Sequence, residues 1–360
     1  MNRDNLLSLY ERLTKLVEKL PGGLQKPILR ELVPIRELFL EQRPTRILLL
    51  GGSGDNVLET LRFLTDQRVE VGENDSGWRA FRVPDRGEIH VLDGRLDTPQ
   101  AAFDAALSRF MPDAVLLLRQ PGDEDAVFEL AAARMDACPK EIPLIGIATG
   151  ESGARSRLSA LLSGQQEFSL RRHTVCAPES GDSVSEAVCA VLPNAARLEF
   201  ARLTGAKQAQ AQIAGSLLKS FTAVCGVIGL QPIPLADMPI LTALQGLMVG
   251  LIVYTSGKSA SARTFGEFLG ALGLNVGAGI LFREGARQII KIVPVWGNAV
   301  SGMVAGAGTY AIGRAAIAFF IEGVSMGESK KLFEKLSPSW DSFKRRRLPL
   351  LARGKKEKGE

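Results

Sequence analysis

The sequence predicts an α/β domain built on a mainly parallel sheet, followed by an all-α, hydrophobic domain. Three observations carry this. From residue 46 to about residue 193, short apolar runs alternate with runs of helical periodicity, the pattern of strands covered by helices on both faces. Beyond residue 220, four segments of 17, 20, 15 and 22 residues (220–236, 238–257, 268–282 and 292–313) contain no Asp, Glu, Lys or Arg. At the start of the first of these regions, residues 46–64, RILLLGGSGDNVLETLRFL, read as strand, Gly-rich loop and helix. With 360 residues, 46% of them apolar, the chain has material for two cores.

Taken in order, residues 5–20 place Leu6, Leu9, Leu13, Leu16, Val17 and Leu20 at helical spacing, and Pro21-Gly22-Gly23 stops the run. A second helix pattern, interrupted by Pro27 and Pro34, carries Ile28, Leu32, Ile35, Leu38 and Phe39. Residues 1–45 are therefore expected as an amphipathic helical arm. In the α/β domain, 46–193, strands are expected at 47–50, 78–83, 88–92, 114–118, 143–148 and 173–177. Helices are expected at 57–66, 99–110, 124–137, 153–162 and 183–191, and strands 78–83 and 88–92 are close enough to form the one antiparallel ladder. A linker helix over 194–219 leads into the hydrophobic helical domain, 220–325, and a basic tail, 326–360. That tail puts eight Lys and Arg into its last seventeen residues, although the whole chain has a net charge of only +5.

Strand, Gly-rich loop and helix in that order can make a phosphate-binding loop, because glycines let backbone N–H groups converge on an anion at a helix N-terminus. The candidate residues are Gly51, Gly52, Ser53, Gly54, Asp55 and Asn56. The full signature, G-x-x-x-x-G-K-[ST], would put its second glycine on Asn56, its lysine on Val57 and its hydroxyl on Leu58. A missing lysine removes a charge-assisted contact worth about 1.5–3 kcal/mol. Leu58 cannot ligate magnesium, and Asp55 adds negative charge beside the phosphates. Nucleotide should bind weakly, and hydrolysis, which needs positioned positive charge, is disfavoured further.

Other chemistry is poorly provided for. Four separated cysteines without a C-x-x-C pair and two histidines, His90 and His173, give no disulfide framework and no metal site. Ser53, in Gly-Gly-Ser-Gly, has no oriented acid to complete a hydrolase with His173. The N-terminus, MNRDNLLSLYERL, does not read as a signal peptide, so a cytoplasmic location is expected. The basic tail suits anionic lipid, at about 1 kcal/mol per basic residue, better than nucleic acid, for which no recognition helix or aromatic pattern accompanies the charge. Residues 238–257 meet the length of a membrane span, and Gly302 and Gly306 show the spacing that lets helices pack closely, in lipid or in a soluble bundle.

The order of elements resembles that of the Era-like small GTPases, with each nucleotide motif degenerate in its place. After strand 88–92 the D-x-x-G position reads Asp93-Gly94-Arg95-Leu96. After strand 143–148, Thr149-Gly150-Glu151-Ser152 stands for [NT]-K-x-D, and Cys176-Ala177-Pro178 stands for S-A-K. Glu179 to Val184 resembles the family's lead into its last helix. Ile233-Pro234-Leu235-Ala236-Asp237-Met238-Pro239-Ile240 and Val295-Trp296-Gly297-Asn298 resemble the YcjF-like helical domain found behind bacterial Era-like G domains.

The resemblance implies a P-loop GTPase-like domain fused to a YcjF-like domain. The function expected from it is a pseudo-GTPase scaffold or adaptor on the cytoplasmic face of a bacterial inner membrane. It would hold a protein partner through the GTPase-like domain and anionic membrane through the helical domain and tail, with no catalytic residues, no metal and no nucleic acid. Two alternatives stand beside it: a GTP-binding protein or slow GTPase, using GTP or GDP with Mg as a membrane-linked switch, and a soluble adaptor that forms a homo-oligomer.

Overall fold

The computed structural model describes residues 22–52, 57–65, 68–95, 98–119, 125–148, 153–164, 166–169, 171–176, 181–229, 237–258, 262–272 and 298–337, together with 11, 14, 15, 17 and 18. In chain order the elements are α1 (Gly22–Phe39), β1 (Thr45–Gly51), α2 (Val57–Thr65), β2 (Glu70–Asp75), β3 (Trp78–Val83), β4 (Gly87–Asp93), α3 (Gln100–Arg109), β5 (Ala114–Arg119), α4 (Asp125–Asp136), β6 (Leu144–Ala148), α5 (Ala154–Gly164), α6 (Gln166–Ser169), β7 (His173–Cys176), α7 (Gly181–Val191), α8 (Asn194–Thr204), α9 (Lys207–Gly229), α10 (Asp237–Thr255), α11 (Ala262–Ala271), α12 (Asn298–Phe320) and α13 (Met326–Leu336). The chain forms two compact units, one of residues 36–213 with 255–259 and one of 1–35, 214–254 and 260–360.

The first unit is α/β, with one seven-stranded, mainly parallel sheet in the order β2-β3-β4-β1-β5-β6-β7. β1 pairs in parallel with β4 on one side and β5 on the other, and every β1 residue except Arg46 is buried. Burial on both faces explains its unbroken apolar run. Alternate side chains serve opposite faces: Leu48 and Leu50 join Phe103 of α3, Phe128 of α4 and Leu158 of α5 in one core. Towards the other face, α8 packs on β1 and β4, and Ser185 of α7 donates to the Leu64 carbonyl of α2.

Two antiparallel ladders stand where one was expected. β3 pairs with β4 as the sequence predicts, and β2 adds a second hairpin at the sheet edge. The residues of β2, EVGEND, are almost all exposed, so no apolar alternation announces the strand. The turn does, since Ser76 and Gly77 both have positive φ, 53° and 92°, the conformation that matches hairpin twist. Trp78, just beyond it, is buried and donates from Nε1 to the Ala106 carbonyl.

Two further expectations are corrected. α1 runs unbroken through Pro27 and Pro34, although a proline inside a helix costs its own N–H bond. The buried stripe Ile28, Leu32, Ile35, Leu38 and Phe39 on either side of Pro34 outweighs that loss. Residues 194–219 are not one helix, because Gly205, at φ 71°, ends α8 in a left-handed cap before α9 begins. Glu186 then caps α9, accepting from the N–H groups of Gln208 and Ala209 at 2.7 and 2.9 Å.

The second unit is helical. Gly226 of α9 faces Gly302 and Gly306 of α12, and a Cβ built on Gly306 would lie 3.5 Å from the Thr222 carbonyl oxygen and 3.6 Å from the Gly226 Cα. The small-residue spacing therefore marks a backbone-to-backbone helix crossing. Alanine fits there at ordinary contact distance, whereas Gly306→Leu must push the helices apart. The leucine variant should lose about 2 kcal/mol in a urea titration, and Gly306→Ala should stay near wild type. Gln245 of α10 bonds Thr309 of α12 at 3.0 Å, and Phe268 packs on Phe319 and Phe320. Ser325 and Glu328 form a reciprocal capping box at the start of α13. Residues 233–236 and 291–297, part of the YcjF-like stretch, lie outside the described residues.

Candidate functional site

In an open α/β sheet, ligands bind beyond the carboxyl ends of the strands, where the strand order reverses. Here that place is the end of β1, because the chain continues to β4 on one side and to β5 on the other. β1 ends on Gly51 at φ 114°, and a Cβ on it would sit 2.0 Å from the Leu118 carbonyl oxygen. Only glycine fits. Gly52 is buried beside it, and Ser53, Gly54, Asp55 and Asn56 lie outside the described residues. Val57, the lysine position of the phosphate-loop signature, opens α2 and is 8% exposed, an apolar side chain turned into the core.

The register sets Asp93, the last residue of β4, level with Leu49. Its carboxylate is already engaged. Arg95 Nε donates to Oδ1 at 2.7 Å and Nη2 to Oδ2 at 2.8 Å, and the Arg95 backbone N–H also reaches Oδ1 at 3.3 Å. The Arg95 side chain is 10% exposed and that of Asp93 38%, so the pair is bidentate, with its guanidinium half-enclosed and its carboxylate open to solvent. Around it the chain is tied down at several points. Gly94 N–H donates to the Leu49 carbonyl at 2.9 Å, the Thr98 hydroxyl to the Asp93 carbonyl at 2.5 Å, and Arg134 Nη2 to the Thr98 carbonyl at 2.6 Å. Arg134 is buried over the Phe103 ring, 4.3 Å from its centroid. Gly94 itself has no room for a side chain, since its Cβ would meet Leu50, Leu48 and Phe103 within 3.0 Å.

Farther along the same edge, Arg119 ends β5 with its guanidinium over Phe128, and Cys176 ends β7. Burial pushes the thiols of Cys176 and Cys138 up, Cys138 to about 11, which keeps both protonated and poorly nucleophilic near neutral pH. Residues 149–152, with Glu151, and residues 177–180 lie outside the described residues. Among the described residues, no three His, Cys, Asp or Glu side chains come together as metal ligands.

Two arginine anchors escaped the sequence reading. Asp113, ahead of β5, accepts both terminal nitrogens of Arg43 at 2.7 and 2.5 Å and the backbone N–H of Arg46 at 2.9 Å. Arg171 donates to the carbonyls of Met135, Cys138 and Pro139, closing the C-terminal end of α4. Their partners are distant in sequence, so no spacing signals them.

Fold and site together define a doubly wound α/β domain whose acidic residue at the switch point is neutralised from within, joined to a helical, apolar region. Beyond that class, no protein-family model and no curated protein matches the chain.

Proposed function

We propose that the chain is a non-enzymatic pseudo-GTPase scaffold, a P-loop GTPase-like domain held in one state and serving as a protein-binding surface at the cytoplasmic face of a membrane. The observation that carries this reading is the Asp93–Arg95 pair, with residues 94 and 98 fastened around it. In a nucleotide switch the segment after this strand is ordered by the γ-phosphate and magnesium. Here an internal guanidinium sits on the carboxylate, and Gly94 and Thr98 are held by contacts within the protein. The buried Val57 supports the same conclusion, because no lysine is there to meet a phosphate.

The membrane half of the proposal draws on composition and exposure. Residues 207–229 and 302–320 form helices long and apolar enough to cross a membrane, each with half of its apolar window buried. Their exposed faces differ. Lys207, Gln208, Gln212, Ser216 and Lys219 make the exposed face of α9 polar as far as residue 219, the mark of a surface helix, and only beyond it does the exposed side turn apolar, at Ala223. Among the described side chains of α12 the exposed residues are Met303, at 62%, and Tyr310, at 42%, about two turns apart. We assign membrane contact to α12 and the basic tail.

Equilibrium binding of fluorescent GTP and GDP to the full chain, with and without magnesium, tests the pseudo-GTPase half. No saturable binding is expected up to millimolar nucleotide. Micromolar, magnesium-dependent binding would overturn the scaffold reading in favour of a switch. Complete release of the protein from membranes at high salt would show tail-only attachment, because screening frees electrostatically held proteins and leaves inserted ones.

A further inference from the structure

An open groove of about 540 Å³ lies in the helical unit, between the start of α1 and the later turns of α9. That volume is typical of small-molecule sites. Its two walls differ in chemistry. α1 contributes Lys26 and Arg30, one helical turn apart, with Pro27 between them, and α9 contributes Ala223, Val224 and Val227. Lys26 and Arg30 are both exposed and make no ion pair among the described residues. Among the described residues, no acidic side chain lines the groove.

We propose that this groove binds one anionic phospholipid, with the phosphate of the headgroup on Lys26 and Arg30 and an acyl chain along Ala223, Val224 and Val227. Two unpaired cations beside an apolar wall match a molecule that carries a negative charge and a hydrocarbon chain together. A free anion would leave the apolar wall uncovered, and a neutral apolar ligand would leave the cations unused. The chain's own tail is a poor occupant, since its eight basic residues repel the rim. Val33, 45% exposed one turn beyond Arg30, extends the apolar surface along α1. The proposal deepens the membrane half of the function above and rests on it only for the source of the lipid.

The test uses the full chain and dioctanoyl phosphatidylglycerol, titrated below its micelle concentration and followed by calorimetry. Dioctanoyl phosphatidylcholine and glycerol 3-phosphate serve as controls for charge and chain. Wild-type protein should take up one phosphatidylglycerol per chain, with both controls at least about tenfold weaker. K26E/R30E should weaken uptake by about tenfold or more, the scale of two basic contacts to a headgroup. Val227→Trp, which fills the groove and leaves the charge unchanged, should do the same while the circular dichroism spectrum stays that of wild type.

Three results would overturn the proposal: no saturable uptake by wild-type protein, equal affinity in K26E/R30E, or glycerol 3-phosphate binding as tightly as the lipid. Sedimentation with phosphatidylglycerol vesicles separates this failure from that of the membrane reading. If wild type and K26E/R30E sediment equally while soluble lipid does not bind, the groove assignment falls and the tail still carries the chain to membranes. If wild type does not sediment at all, the membrane reading falls too.

Discussion

Gly51→Ala is expected to destabilise the α/β unit by about 3 kcal/mol or more, through two effects that act at the same atom. A residue with a side chain is strained at φ 114°, at a cost of about 1–3 kcal/mol. The new Cβ would also press on the Leu118 carbonyl oxygen at 2.0 Å, and that oxygen belongs to β5, whose neighbours are all buried. Backbone at the centre of a seven-stranded sheet has no easy direction in which to move. The loss should appear as a lower urea midpoint, with Trp78 fluorescence as a local probe in a W296F/W340F background, since its indole is buried against α3 in the same core. Gly164→Ala is the matched control: at the end of α5, with nothing within 4 Å of the new Cβ and no positive φ, it should leave stability unchanged or slightly raised. A Gly51→Ala protein as stable as wild type would mean that β1 and β5 part more readily than their register implies.

The second large effect is expected at Asp113. Its side chain is 5% exposed and accepts two hydrogen bonds from Arg43 and one from the Arg46 backbone. Asp113→Ala leaves a guanidinium without its counter-charge and a strand N–H without an acceptor. Breaking a buried pair from one side costs about 3–5 kcal/mol, and the 34% exposure of Arg43 places this case near the lower limit. Asp113→Asn should recover part of the loss, because an amide oxygen can still accept from Arg46. Arg43→Ala together with Asp113→Ala should cost clearly less than the sum of the two single changes, by about 1–2 kcal/mol. Additivity in that cycle would show that the two side chains act separately.

The elements most legible in the sequence are those whose burial is regular. β1, β5 and β6 are continuous apolar runs because both faces are covered, and β3 is a mostly buried run broken by the exposed Arg79 and Arg82. β2 was illegible for the complementary reason, since an edge strand with exposed side chains carries no burial pattern, and its register shifts between Val71 and Asn74. Pro27 and Pro34 misled in the other direction, because a local rule lost to a buried stripe that spans about three turns. At the candidate site, the steric need that makes residue 51 a glycine comes from the Leu118 backbone of β5, a long-range contact that the local glycine pattern does not announce. Arg95 was not legible. A two-residue separation around a turn has no fixed geometry, so the bidentate hold on Asp93 emerges only once the strand end and the helix after it are in place.

The division of the chain between its units also bears on its birth at the ribosome. Residues 1–35 belong with 214–254 and 260–360, while the whole sheet lies between them. At about 5–20 residues per second, the first segment waits roughly ten to thirty-five seconds for its partners to be translated. Through that time the stripe of Val17, Ile28, Leu32 and Ile35, buried in the finished protein, has nothing of its own unit to pack against. The α/β unit can complete most of its core in the interval, so synthesis imposes an order, sheet first and helical unit last. A nascent chain arrested once residue 213 has left the ribosomal exit tunnel should protect its sheet from protease and leave the first 35 residues open to cleavage. The early helix is a natural client for a holding chaperone until α9, which faces it across the groove, has been translated.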